Sequence, residues 1–128
     1  MSTPITQTFI AAGTIREYRA VSVDGNGKVV ESAIGTDKAI VGIAQRAVTA
    51  GEAVDVVISG LTRAIAGGNI TANTEPRLKV VTADGGKLEN VAGGDFAVCR
   101  MIPNINQTTA ADNDQILVLF IGPTIVHA

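Results

Sequence analysis

Between Ala20 and Glu31 the chain reads Ala-Val-Ser-Val, then Asp-Gly-Asn-Gly, then Lys-Val-Val-Glu. Asp-Gly and Asn-Gly supply the positive φ angles that a tight turn between antiparallel strands demands, and β-branched residues pack well on a pleated surface. The stretch predicts a β-hairpin. A second stretch repeats the scheme, with Leu78-Lys79-Val80-Val81-Thr82-Ala83, Asp84-Gly85-Gly86-Lys87 and Leu88-Glu89-Asn90-Val91. Each unit is an apolar strand, an Asp-Gly turn, a Lys and a strand carrying Glu. Each is followed by an apolar run, Ile40–Ala44 in one case and Phe96–Ile102 in the other. Repetition of this kind marks duplicated supersecondary units, although recurrence of a common turn type explains it equally well.

The rest of the chain reads as further short strands. Ile40-Val41-Gly42-Ile43-Ala44 is continuously apolar, as a strand buried on both faces would be. After a turn at Thr49-Ala50-Gly51-Glu52, residues Val54, Val56 and Ile58 share one face of a strand, and Asp55 and Val57 the other. Gly60 then marks a bulge or bend before Leu61–Ala66, and Gly67-Gly68 turns into Asn69–Ala72. The polar stretch from Asn104 to Asp114 predicts a surface loop. Gln115-Ile116-Leu117-Val118-Leu119-Phe120-Ile121 is a last strand with two apolar faces. Such a strand lies inside two packed layers or has one face covered by another subunit. Ile116, Val118 and Phe120 are the candidates for that subunit contact.

About nine short strands at roughly 8–12-residue spacing give an all-β domain, a sandwich or small barrel. Residues 13–128 form that single domain. Residues 1–12, with Pro4 and several threonines, predict an extended N-terminal arm without a hairpin of its own. Aromatics are only 3% against 46% hydrophobic residues, so the core must be built from Ala, Val, Ile and Leu.

Function classes fall away one after another. A net charge of -2, with basic residues spread singly, argues against nucleic acid as a ligand. No apolar stretch approaches the roughly 18 residues of a membrane helix, and no basic segment leads into an apolar one, so neither membrane nor secretory leader is expected. With one Cys (Cys99) and one His (His127), no disulfide and no usual zinc set can be assembled. His127 is penultimate, with nothing nearby to orient it as a base, and Cys99 reads as a small buried hydrophobe. Gly25-Asn26-Gly27 is flanked by strands and opens no helix that could hold a phosphate. Gly67-Gly68 and Gly93-Gly94 read as turns, and Asn69 and Asn106 only formally begin glycosylation acceptors. Asp112 and Asp114 are spaced like the start of a calcium loop, but no EF-hand glycine and glutamate follow in register. Lys28 and Lys87 follow turns without the flanking residues of lipoyl or biotinyl carriers. No catalytic residue, metal, cofactor or small-molecule substrate is expected, and the chain reads as a building part rather than an enzyme.

One stretch carries a resemblance. Val41-Gly42-Ile43-Ala44, then Ala50-Gly51-Glu52, the alternating Val54-Asp55-Val56, Gly60, and Ala66-Gly67-Gly68-Asn69-Ile70 follow one another in order, with Gly13–Val21 upstream. The pattern, over roughly residues 10 to 100, resembles the decoration (cement) proteins of tailed-phage capsids, related to lambdoid head decoration proteins. Asn73-Thr74-Glu75-Pro76-Arg77 departs from the Ala-Gly-Asp turn common there, and Asn104–Asp114 looks like an addition. The resemblance implies a β-clip-like fold and a homotrimer. It also implies a virion location, on the outside of the mature shell, with the major capsid protein as partner and the host cytoplasm as the place before assembly. Ile5, Thr6, Gln7, Thr8, Phe9 and Ile10 are then the arm residues that contact the capsid, by adding a strand to an exposed sheet edge. A tail or fibre domain and a small carbohydrate-binding β-module are the alternatives, the latter disfavoured by the scarcity of aromatics.

Overall fold

The computed structural model describes residues 4–32, 40–72, 75–80, 85–91, 96–104 and 107–125. Among them every regular element is a strand. In chain order these are β1 (Ile5–Ile10), β2 (Ala20–Val23), β3 (Val29–Glu31), β4 (Ile40–Ala44), β5 (Ala53–Ile65), β6 (Ile70–Thr71), β7 (Arg77–Val80), β8 (Leu88–Asn90), β9 (Phe96–Met101), β10 (Thr109–Ala110) and β11 (Gln115–Ile125). The antiparallel path β3-β2-β4-β5-β11-β9-β7-β8 carries β1 on the first half of β5, and β6 pairs with β10 apart from it. The chain is all-β, as its composition and turns predict, and both hairpins form, as β2–β3 and β7–β8.

The path reads the same from both ends. β2 pairs with β3 and β4, and β4 with β5; β7 pairs with β8 and β9, and β9 with β11. The repetition extends to single hydrogen bonds. Ala12 N–H donates to Val29 C=O at 2.8 Å, and Gly67 N–H to Leu88 C=O at 2.7 Å. Ala11 exchanges bonds with Glu52 and Gly51, and Ala66 with Asp114 and Asn113. Gly51 and Asn113 both take positive φ, 88° and 73°. In the turn itself, the Glu52 carboxylate accepts from Thr49 N–H and the Asp114 carboxylate from Ala111 N–H.

The described residues therefore form two copies of one unit. In each, a first strand pairs antiparallel with the last: β1 with the first half of β5, and the second half of β5 with β11. A parallel bridge from the end of the first strand to the hairpin, Ala11–Val29 or Ala66–Leu88, nearly closes each unit into a small barrel. β5 serves both units, and Gly60 at φ 104° marks the changeover. A Cβ there would stand 3.0 Å from Pro4 Cα.

Packing obeys the same duplication. The first unit encloses Ala11, Ile15, Val21, Val29, Ala44, Val48, Val54 and Val56. Their counterparts Ala66, Ile70, Leu78, Leu88, Met101, Ala110, Ile116 and Val118 are all in the second core. That second core also takes in Ala20, Ile40 and Ile43, from the other face of β2 and β4. The first unit's sheet thus covers the second unit. Where they meet, Ala20 N–H donates to Gly86 C=O and Gly86 N–H to Ser32 C=O, each at 2.9 Å. The two ends of the strand path therefore touch, and the sheet is curled into a partial barrel.

Two local readings change. The Asn104–Asp114 segment contains β10, which pairs with β6. The arm does not project freely: Thr6 to Ile10 pair in register with Val57 to Ala53, and Phe9 packs against the first core. A short threonine-rich segment has no hairpin partner nearby in sequence, so its distant partner in β5 is invisible to local pattern.

Candidate interaction surfaces

Five of the six arm residues keep outward positions, and Phe9 packs inward against the first core. Ile5, Thr6, Gln7, Thr8 and Ile10 are exposed and Phe9 is half-buried. Thr8 Oγ1 donates to the Asp55 carboxylate at 2.8 Å, fixing β1 on β5. Beyond the Ala11–Val29 bridge, the other edge of β1 meets no strand among the described residues. An edge of this kind presents unpaired N–H and C=O groups to an incoming chain.

Ile116, Val118 and Phe120 are not available to a subunit axis. Ile116 and Val118 are at 0% exposure and Phe120 at 4%, all inside the chain's own second core. Alternation sends the other set outward: Leu117 and Leu119 are half-buried and Ile121 is 49% exposed. An apolar run shows that both faces of a strand are covered or sticky, not which face meets the chain's own core.

Leu117 helps line a shallow recess of about 470 Å³ at the seam between the units, with Pro4, Tyr18, Gln45, Leu61, Thr62 and Arg63. Tyr18 holds φ at 60°, a left-handed conformation rare for a side chain of its size. Gln45 Nε2 donates to Thr62 Oγ1 at 2.9 Å, tying β4 to the second half of β5 across the seam. None of these residues stood out in the sequence, because the seam exists only once the two units are docked.

The chemically suggestive residues find structural roles. Cys99 is fully buried, and burial raises its thiol pKa far above the ordinary value. Asp112 pairs with Lys87 at 3.3 Å, and Asp114 caps the turn at Ala111. Among the described residues no group of three or more His, Cys, Asp and Glu converges as a metal site. No helix among them is long and apolar enough to cross a membrane. Of the remaining candidates, Asp84, Gly93-Gly94, Asn106 and His127 lie outside the described residues.

Charged pairs cluster at the hairpin bases. Glu31 accepts from Arg16 backbone N–H at 2.7 Å and from its guanidinium at 3.0 and 2.9 Å. Partial burial pushes the Glu31 carboxyl up, but the hydrogen bonds and charge of Arg16, with help from Arg19, outweigh it and hold the group below the ordinary carboxylate value. Hydrogen bonds and charge from Arg77 likewise hold Glu75 low against desolvation.

The architecture has a counterpart among solved structures. The N base of head fiber gp8.5 of bacteriophage phi29 superposes with a TM-score of 0.61 at 14% identity, covering 98% of this chain and 100% of that one. The fold is shared. No family model matches the chain, and no curated protein does. At this identity the likeness speaks for the architecture, which extends over both units.

Proposed function

We propose that this chain is a structural part of a tailed-phage virion, seated on the outside of the head. The observation that carries the reading is the end-to-end match to a phage head-fibre base, both units included. The resemblance of residues 10 to 100 to capsid decoration proteins implies the same location. A decoration role and a fibre-base role share the requirement that matters physically, a folded β-domain with a surface fitted to the shell and no active site.

The β1 edge is the part best suited to the shell. It is exposed, extended and backed by β5, so an incoming strand of the major capsid protein would gain main-chain hydrogen bonds without ordering a free arm. Ordering costs about 1–2 kcal/mol per residue, so a strand already in place binds more tightly than a tail. A homotrimer would multiply that contact.

Mass spectrometry of purified virions from the phage that encodes the chain tests the reading. It is expected among the stoichiometric head components and removable from intact heads by mild denaturant. Its absence from virions, with abundant presence in infected cells, would refute a structural virion role.

A further inference from the structure

The two units dock head to tail, and each half of that contact has an unused twin. Within the chain, the hairpin turn of the second unit sits on the sheet face of the first. Gly86 is buried there, at φ 74°, and a Cβ on it would stand 2.6 Å from Arg19 Cβ and 2.7 Å from Ala20 O. The twin turn, in the first unit, is open. Gly27 has the same conformation at φ 78°, yet nothing lies within 4 Å of a Cβ built on it. Asn26, Gly27 and Lys28 are all exposed, whereas Gly86 and Lys87 are buried.

The receiving face shows the converse. Ala20, Ser32 and Ile43 receive the second unit at 0% exposure, and Val57 on the same face is at 2%. Their counterparts on the second unit are Arg77, Val91, Arg100 and Leu119, assigned by the shared pairing of β2 with β4 and of β7 with β9 and by the matching bonds Ser32–Ala20 and Val91–Arg77. Arg77 and Arg100 are exposed, and Val91 and Leu119 half-buried.

We propose that a second copy of this chain docks through its Asp24–Lys28 turn onto the β7–β9–β11 face of the first, repeating between copies the contact that joins the two units within one. Gly27 of the incoming copy takes the place that Gly86 takes inside the chain, between the Arg77 N–H and the Val91 carbonyl. The Glu75 carboxylate, which accepts from Arg77 N–H at 3.1 Å, gives way to the incoming carbonyl. Such a contact is heterologous, joining two different patches, so it closes into a ring or runs on as a chain of copies and never forms a symmetric pair. The inference stands on the internal duplication alone and is independent of the capsid reading.

The test uses the full chain, one exposed position and one half-buried one. Asn26→Cys and Val91→Cys are made in separate chains, mixed, and treated with a short bismaleimide; Cys99 is buried and stays silent. Cross-linked pairs are expected from the mixture and not from either variant alone. Light scattering on the unmodified protein is expected to give a multiple of 13.1 kDa, falling to 13.1 kDa for Asn26→Trp, a change on an exposed turn that leaves the fold intact by circular dichroism. A monomer at every concentration, no cross-link in the mixture, efficient self-linking of one variant alone, or an Asn26→Trp protein that still assembles would each overturn the proposal.

Discussion

Gly86 and Ala20 lie in different units of the chain, and the peptide of one is hydrogen-bonded to the other at 2.9 Å. The contact needs glycine twice over, for its positive φ and for the missing Cβ. Gly86→Ala therefore combines left-handed strain with overpacking and is expected to cost about 3 kcal/mol or more. In the single, unassembled chain Gly27→Ala meets only the strain, because nothing of its own chain surrounds it, and in dilute protein it is expected to cost about 1 kcal/mol. Urea unfolding of the two variants compares them; equal losses would mean that Gly86 does not clamp the units together.

Ile15 and Ile70 occupy equivalent places in the two cores, both nearly inaccessible to solvent. Truncation of either to Ala is expected to cost about 2–5 kcal/mol through transfer and cavity terms. Because β5 belongs to both units, each variant should still unfold in a single transition, seen alike by circular dichroism and calorimetry. Two separated transitions would show that the units fold independently.

The Glu31–Arg16 pair sets an acid limb. The folded-state pKa of Glu31 lies below 4.5, so the pair's stabilisation is present above that value and is lost as pH falls through the folded pKa. Glu31→Gln should lower stability at neutral pH and flatten the decline below about pH 4.5 relative to the unmodified protein. Parallel curves for the two proteins would exclude the pair as the source.

Cys99 is expected to resist thiol reagents until the chain unfolds, since it is buried and burial disfavours the thiolate. Labelling in native buffer should proceed at the opening rate and jump in denaturant. Rapid stoichiometric labelling of the folded chain would contradict its place in the core.

Much of the strand order was legible because the turns carry it: Asp24–Gly27 and Gly85–Gly86 announce hairpins wherever they occur. The duplication was half legible. The hairpins echo each other, but turn chemistry is common, and the more telling echo is Ile10-Ala11-Ala12-Gly13-Thr14-Ile15 against Ile65-Ala66-Gly67-Gly68-Asn69-Ile70. It spans the bridge that nearly closes each unit, and only the hydrogen bonds reveal that these residues do one job twice. Equivalent positions have diverged in residue type, as with Ala20, covered within the chain, and Arg77, which the single chain leaves open. The candidate surfaces were the least legible. Phe120 and Ile121 are both apolar, and only packing decides that the first faces inward and the second outward.

Attachment to the outside of a phage head can be read from sedimentation of the purified chain with purified heads. Saturable co-sedimentation with expanded, mature heads, weak or absent with unexpanded ones, and reduced when Thr6 and Thr8 on the β1 edge are replaced by proline, is the predicted result. Heads of both forms that pellet without the chain at saturating concentration would contradict it.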